Sequence, residues 1–324
     1  MSFTLTRIAV DTGHHGKMAA EVRAGLTATP RSVPSKYFYD AAGSALFEDI
    51  TRLEEYYQTR TETSILEGTA AAIIAEVQPV ELVELGSGAS RKTRVLLEAM
   101  HEVAGGQRVR YVPFDVSEDA IIGAAEALTA DYQWLDVHGI VGDFDHHLAE
   151  VPRTGRRLVA FLGSTIGNLQ PKGQVGLMRD VAAMLQPGDA FLLGVDLVKD
   201  TEVLVRAYDD AAGVTAAFNR NVLHHLNATL GGNFEPDRFA HVARWDPGHQ
   251  RIEMWLRATT DMSVHVKDLD LDLQFTQGEE IHTEISCKFT PETVAERLAA
   301  AGLALARFDT DPQQLFGVAL ATPV

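Results

Sequence analysis

Residues 80–93, VELVELGSGASRKT, carry the strongest structural signal in the chain. Their first six residues predict a buried strand that ends near Glu84 and Leu85, and the turn Gly86-Ser87-Gly88 follows it. A polar segment then opens a helix. A strand that stops at Gly-x-Gly lets its backbone approach a bulky ligand, and the next helix points its N-terminal N–H groups at the same place. The stretch therefore predicts a crevice for a nucleotide or a nucleotide-like cofactor.

The composition indicates a globular protein with an acidic surface. The 324 residues leave room for two domains, and 28 Lys and Arg against 45 Asp and Glu give a net charge of −17. Such a surface repels nucleic acid and anionic membranes, so we expect neither as a partner. One cysteine, Cys287, argues against disulfides and cysteine-based metal clusters, and no metal is expected. The chain lacks signal-peptide features and membrane-length apolar runs, which predicts a cytoplasmic protein; we expect a monomer.

Strands and helices alternate between Glu62 and Asp196. Five predicted strands in this range imply a parallel sheet covered by helices on both faces. After Asp196 a helical region leads to a hairpin around Asp246-Pro247-Gly248, and segments 262–266 and 271–275 are expected to extend its sheet. From Thr290 a helix and two strands restore the earlier pattern.

This pattern predicts an α/β, Rossmann-like core with an inserted domain. The core comprises residues 61–196 and 289–324, and the α+β insertion, residues 197–288, is expected to bind the substrate. Residues 1–60 are predicted to be a loose arm to about residue 20, followed by a tyrosine-rich segment that packs with the insertion.

The strand ends favour S-adenosylmethionine (SAM) over a dinucleotide. The third glycine of a dinucleotide fingerprint is replaced by Arg91, and a nicotinamide oxidoreductase is therefore a distant alternative. Asp115 ends the second strand and can accept both ribose hydroxyls. Asp143 ends the third strand and can accept the adenine amine, while Phe144 offers a backbone N–H and a ring face. Gly86 leaves space for the methionine portion. Together these features predict a class I SAM-dependent methyltransferase.

Several longer segments then indicate one family. They are KYFYD (36–40), FLGSTIGN (161–168), the run 196–223, RIEMWLRA (251–258) and TEISCKF (283–289). From about Val22 to Ala321 the chain resembles the histidine-specific methyltransferases of ergothioneine biosynthesis, which convert L-histidine to its trimethylated betaine, hercynine. The likeness covers the insertion that distinguishes this family from other methyltransferases.

The resemblance implies a set of site residues. Those implied for cofactor binding are Tyr56, Gly86, Lys92, Asp115, Asp143, Phe144 and Gly163. Those implied for substrate binding are Tyr56, Asn168, Tyr208, Thr215, Met254, Glu284, Ile285 and Ser286. Tyr39 and Asn168 are implied to orient the reacting amine. Glu284 and Ser286, two residues apart on one strand face, can engage both nitrogens of an imidazole.

Three positions depart from the family pattern. Gln58 replaces a proline, Arg91 an acid and His282 an apolar residue. Because none of the three carries a chemical role, they bear on affinity rather than on the reaction. Two alternatives remain open: methylation of another amino acid or amine, and a non-catalytic protein that binds SAM as a signal.

Overall fold

The computed structural model describes residues 2–8, 14–88, 90–143 and 147–324. The strands are β1 (Ser2–Arg7), β2 (Arg31–Ser32), β3 (Glu81–Leu85), β4 (Val109–Asp115), β5 (Leu135–Val141), β6 (Arg157–Phe161), β7 (Ala190–Asp196), β8 (Phe239–Asp246), β9 (Arg251–Ala258), β10 (Met262–Val266), β11 (Leu271–Phe275), β12 (Glu280–Cys287), β13 (Leu303–Thr310) and β14 (Phe316–Pro323). The helices are α1 (His14–Thr27), α2 (Ala41–Ile50), α3 (Gln58–Val77), α4 (Thr93–Val103), α5 (Glu118–Asp131), α6 (Pro171–Met184), α7 (Thr201–Arg206), α8 (Val214–Leu230) and α9 (Pro291–Ala300).

The chain divides into two compact units. Unit 1 is drawn from Met1–Val10, Gln58–Val198 and Phe289–Val324, and unit 2 from Asp11–Tyr57 and Lys199–Lys288. The limits of the insertion lie within two residues of the predicted 197–288. The N-terminal division differs from the predicted one, since it falls before Gln58 rather than after residue 60.

Unit 1 contains an eight-stranded sheet in the order β1-β5-β4-β3-β6-β7-β14-β13. Every pairing from β1 to β7 is parallel, whereas β14 runs antiparallel to both β7 and β13. This sheet confirms the predicted Rossmann-like α/β fold. The expectation that the first residues form a loose arm is wrong, because β1 pairs along its whole length with β5.

The central strands are buried along their length, as expected for parallel strands covered on both faces. The two acids of β3 are stabilised by partners: Arg157 donates to Glu81 over 2.8 Å, and Thr93 donates to Glu84 over 2.6 Å. Residues of α3 and α4, such as Ile73 and Leu96, pack in the same apolar core as Leu82 of β3.

Unit 2 contains a four-stranded sheet in the order β2-β12-β9-β8. The hairpin β8–β9 forms around the predicted turn. Helix α8 packs against this sheet through an apolar core that includes Phe218, Val222 and Met254. The strands β10 and β11 form a separate antiparallel pair, so the expectation that they extend the larger sheet is wrong. In the described ranges, no helix is long and apolar enough to cross a membrane.

Candidate active site

The turn after β3 is held against the end of β4. The Gly86 N–H donates to the Phe114 carbonyl over 2.8 Å, and the Gly88 N–H donates to a carboxylate oxygen of Asp115 over 3.1 Å. Both glycines have positive φ, 64° and 47°, and nothing lies within 4 Å of the position that a Cβ would take at Gly88. A non-glycine side chain would strain this turn, so the glycines are needed for its backbone shape.

Asp115 is oriented by backbone groups. Its second carboxylate oxygen accepts from the Ser117 N–H over 3.0 Å. Burial raises the pKa of the Asp115 carboxyl, while the N–H groups of Ser117 and Gly88 lower it. A fixed carboxylate at this strand end is suited to accept hydrogen bonds from a pair of ribose hydroxyls.

Glu84 stabilises the same turn through hydrogen bonds of its side chain. Its carboxylate accepts from Thr93, the first residue of α4, and from the Tyr111 hydroxyl, which lies 2.6 Å from Ser90 Oγ. Burial raises the pKa of Glu84 to about 7, even though the bonds from Thr93 and Tyr111 and the charge of Lys92 act in the opposite direction. The acid of the glycine motif therefore links β3, β4 and the start of α4.

A second buried acid, Glu62 of α3, joins two of the predicted cofactor residues. Its side chain is fully buried, and it forms an ion pair with Lys92. The same carboxylate accepts from the Gly163 N–H, at 2.9 and 3.0 Å from its two oxygens. Glu62 is not predictable from the sequence as a site residue, because only the tertiary packing of α3 brings it to the ends of β3 and β6.

The remaining predicted residues of unit 1 also follow strand ends. Asp143 comes two residues after β5, and its N–H donates to His147 over 3.1 Å. Asn168 ends a short 3₁₀ helix, Thr165–Asn168, that begins two residues after Gly163. Phe144 lies outside the described residues. Unit 1 thus gathers Gly86, Lys92, Asp115, Asp143, Gly163 and Asn168 at the carboxyl edge of one sheet.

In unit 2, three polar side chains form a hydrogen-bonded cluster. The Tyr208 hydroxyl lies 2.8 Å from Ser286 Oγ, and Lys288 Nζ donates to both, over 2.9 Å and 2.8 Å. Lys288 was not among the predicted site residues. The alternation of TEISCK, which places Glu284, Ser286 and Lys288 on one strand face, was the signal that could have found it.

Glu284 lies on the same face of β12 and is 8% exposed. Burial, opposed in part by the charge of Lys288, raises the pKa of Glu284 to about 8. Directly opposite it on β9 is the buried Met254, so the carboxyl has an apolar cross-strand neighbour. The Ile285 side chain points to the other face of β12. We therefore expect Ile285 to contact a ligand bound beside Glu284 through its backbone.

Aromatic rings connect the predicted tyrosines. Tyr39, 39% exposed, contacts Phe47 and Phe218 edge-on, each with ring centroids 5.7 Å apart. Tyr56 contacts Phe47 at 6.2 Å and Tyr208 at 6.5 Å. Unit 2 therefore brings the predicted tyrosines and Ser286 into one continuous group.

A buried polar network holds the backbone of Tyr208. His241 Nε2 lies 2.7 Å from the Tyr208 carbonyl, and its Nδ1 lies 2.8 Å from the Asn219 amide nitrogen. The Asn219 carbonyl in turn accepts from Thr283 over 2.7 Å. Burial lowers the pKa of His241. These contacts require a neutral ring that donates to Tyr208. Thr215 lies close in the chain and is fixed near Tyr208, because its N–H donates to the Asp210 carboxylate over 2.7 Å.

The departures from the family pattern have simple structural roles. Gln58 is the first residue of α3 and donates to Asp196 over 3.4 Å. His282 packs on the Trp255 ring at 4.5 Å, and burial lowers its pKa. Arg91 is exposed in the turn before α4. Across the described part of the chain, no group of three or more His, Cys, Asp or Glu is arranged to hold a metal.

Comparison with known proteins identifies the family. The sequence profile described as "Histidine-specific methyltransferase, SAM-dependent" matches residues 18–323. The chain belongs to this family. Among its relatives, the histidine N-alpha-methyltransferase of Mycolicibacterium smegmatis is 54% identical, with 93% of each chain covered.

Two further relatives extend the comparison. The histidine N-alpha-methyltransferase of Mycobacterium tuberculosis is 50% identical, with 96% of each chain covered. Ergothioneine biosynthesis protein 1 of Schizosaccharomyces pombe is 30% identical over 72% of this chain and 31% of that protein. The family resemblance predicted from the sequence is confirmed.

Proposed function

We propose that this protein is an L-histidine Nα-methyltransferase that uses SAM to convert L-histidine to hercynine, the first step of ergothioneine biosynthesis. Family membership and the identity to two histidine N-alpha-methyltransferases support the proposal. The observation that carries the substrate assignment is the pairing, on one face of β12, of a buried carboxyl with a hydroxyl two residues on. An imidazole is a ring whose two nitrogens match such a pair.

Residues of unit 1 fit the donor. Asp115 would hold the ribose, Asp143 and Phe144 the adenine, and Lys92 the carboxylate of the methionine portion. The turn that begins at Gly86 is open at Gly88, and the anchored Lys92 lies beside it, so the two supply the space and the positive charge that such a ligand requires. SAM supplies the electrophilic methyl group, and the proposal needs no metal.

Residues of unit 2 fit the acceptor. Glu284 and Ser286 would bind the imidazole, with Met254 packing against the ring. Tyr208 and Tyr56 would bind the substrate carboxylate, with Thr215 and Ile285 completing the site. Tyr39 and Asn168 would orient the amine.

Catalysis in this proposal comes mainly from alignment. Methyl transfer to an amine is an in-line displacement, and the chain must hold nitrogen and methyl carbon about 3–3.5 Å apart. The amine must be neutral to attack, and a nearby sulfonium charge lowers its pKa, so no strong general base is required. Tyr39→Phe should therefore lose turnover by a similar factor at neutral and at high pH. Recovery of most of the lost turnover at high pH would indicate that Tyr39 acts as a base and would contradict the positioning role.

Mass spectrometry of L-histidine incubated with the enzyme and SAM tests the function directly. We expect species with one, two and three added methyl groups, the last accumulating. Methylation of another amino acid in preference to histidine would support the first alternative. SAM binding without any methylated product would support a regulatory binding protein. The cytoplasmic location and the monomeric state stay predictions.

A further inference from the structure

Lys288 is a buried lysine beside the proposed imidazole site. It is 2% exposed and follows β12 directly, and its N–H donates to the Gln250 carbonyl over 2.7 Å, which continues the strand pairing. Because side chains alternate along a strand, Lys288 shares a face with Ser286 and Glu284. A buried lysine costs stability unless its donors are satisfied, so its position calls for a specific explanation.

The contacts of Lys288 define what the neighbouring hydroxyls can do. Its Nζ donates to Ser286 Oγ and to the Tyr208 hydroxyl, and it lies 4.6 Å from the centre of the Tyr208 ring. An ammonium has three N–H donors and no lone pair, so both hydroxyl oxygens must act as acceptors towards it. Their O–H bonds are therefore directed away from the lysine. Because the two hydroxyl oxygens also lie 2.8 Å apart, one O–H bonds the other hydroxyl, and the second O–H is left to donate to a ligand.

We propose that Lys288 is a positioning residue that makes the hydrogen-bonded pair of Ser286 and Tyr208 hydroxyls present one O–H donor, and thereby selects substrates whose ring offers an acceptor nitrogen. The inference rests on the proposed function. A neutral imidazole has one acceptor nitrogen for such a donor and one N–H for Glu284. A phenyl ring offers neither, and an imidazolium has no acceptor. The positive charge of Lys288 also disfavours an imidazolium. Specificity for histidine would then be set by Lys288 as well as by the residues that contact the ring.

Calorimetric titration tests this role in enzyme saturated with S-adenosylhomocysteine. L-histidine is titrated directly, and L-phenylalanine is measured by displacement of L-histidine. We expect Lys288→Met to weaken L-histidine binding at least about tenfold, because the hydroxyls become free to turn. L-phenylalanine binding should weaken by a smaller factor, since any change at the carboxylate contact of Tyr208 is common to both amino acids and only L-histidine has a ring nitrogen to lose its donor. The KM for L-histidine should rise more than kcat falls.

Lys199→Met is the matched control. Lys199 also donates to a tyrosine hydroxyl, that of Tyr57, over 2.6 Å, and lies 4.4 Å from that ring centre, but Tyr57 is not a proposed imidazole ligand. We expect Lys199→Met to keep the wild-type preference for L-histidine over L-phenylalanine. Lys288→Arg retains a cationic donor and should recover part of the preference that Lys288→Met loses.

Three results would overturn the inference. One is a preference in Lys288→Met within about twofold of wild type. Another is equal weakening of both amino acids together with S-adenosylhomocysteine, which would mean that Lys288 only supports the fold. The third is a preference in Lys288→Arg no better than in Lys288→Met. If wild-type enzyme neither binds nor methylates L-histidine, the proposed function fails as well, and this outcome is distinguishable from the other three.

Discussion

Glu284 is a carboxyl group in an environment that disfavours its charge. Burial opposite Met254 raises its pKa to about 8, so in the unliganded protein it holds a proton at neutral pH. A protonated carboxyl has both a donor and an acceptor and can adapt to either nitrogen of an imidazole. Strong pKa shifts caused by burial are typical of functional sites, which supports the role proposed for Glu284.

This shift predicts a pH-dependent stability difference. The ordinary pKa of a glutamate is 4.5, so between that pH and about 8 the folded state keeps a proton that the unfolded chain has released. The free energy of unfolding therefore loses a contribution from Glu284 as the pH rises through this window. We expect the Tm of Glu284→Gln minus that of wild type to increase between about pH 5 and pH 8.5. Scanning calorimetry of both proteins in one buffer series measures it.

Glu235→Gln serves as the control, because Glu235 is an exposed glutamate of the same unit. Its Tm difference from wild type should stay nearly constant over the range. A Glu284→Gln difference that is equally flat would show that the Glu284 carboxyl ionises normally in the folded protein.

At the scale of elements, helix α3 contacts two of the residues proposed to bind SAM through one side chain, that of Glu62. Glu62 is fully buried, pairs with Lys92 and accepts from the Gly163 N–H. Glu62→Gln leaves the Lys92 charge without its buried partner, and we expect a loss of about 2–4 kcal/mol in unfolding free energy. S-adenosylhomocysteine should bind at least about tenfold more weakly, since Lys92 is then free to move. Denaturant titration and calorimetry measure the two effects.

The control for Glu62 lies on the same helix. Glu67→Gln changes an exposed glutamate and should alter neither quantity measurably. The double variant Glu62→Gln/Lys92→Met should be less destabilised than the sum of the single variants, because the pair acts as a unit. Full additivity would mean that the ion pair contributes nothing to the site.

A glycine of strand β7, Gly194, leaves the space that the Glu62 carboxylate occupies. A Cβ at Gly194 would lie 1.9 Å from Glu62 Oε1, so the strand needs a glycine where the carboxylate approaches. Gly194→Ala should displace Glu62, destabilise the protein by about 1–3 kcal/mol and weaken cofactor binding. Gly176→Ala in α6 is the contrast, since nothing lies within 4 Å of its added Cβ and alanine favours a helix. Equal melting temperatures for the two variants would contradict this account.

The sequence predicts which residues follow the strands of this site better than it predicts the contacts between segments that are distant in the chain. The turn at Gly86 and the acid at Asp115 are predicted because adjacent residues determine where a strand ends. The pairing of β1 with β5 is not, because SFTLTR is short and its partner lies more than a hundred residues away in the chain. Glu62 is missed for the same reason. Lys288 is predictable in principle, because the strand period alone places it beside Ser286.

At the scale of the whole molecule, each unit has its own core and its own set of polar groups. The core of unit 1 includes Leu82 and Leu96, and that of unit 2 includes Phe218 and Met254. The residues that fit the donor lie mainly in unit 1, and those that fit the imidazole lie in unit 2. The sequence predicts this division because the insertion interrupts a regular strand–helix alternation.

Hydrogen exchange should therefore report the two ligands in different segments. We expect S-adenosylhomocysteine to slow amide exchange in residues 86–93 and around Asp115, because the Gly86 turn and Asp115 carboxylate would contact it. Added L-histidine should then slow exchange in 280–288 and 208–215, where Glu284, Ser286 and Tyr208 would be held by the ring. L-phenylalanine at the same fractional occupancy is the control and should slow exchange in 280–288 less than L-histidine does, because its ring cannot bond Glu284 or Ser286. If L-histidine protected only segments of unit 1, the imidazole assignment would be wrong even in an enzyme that methylates histidine.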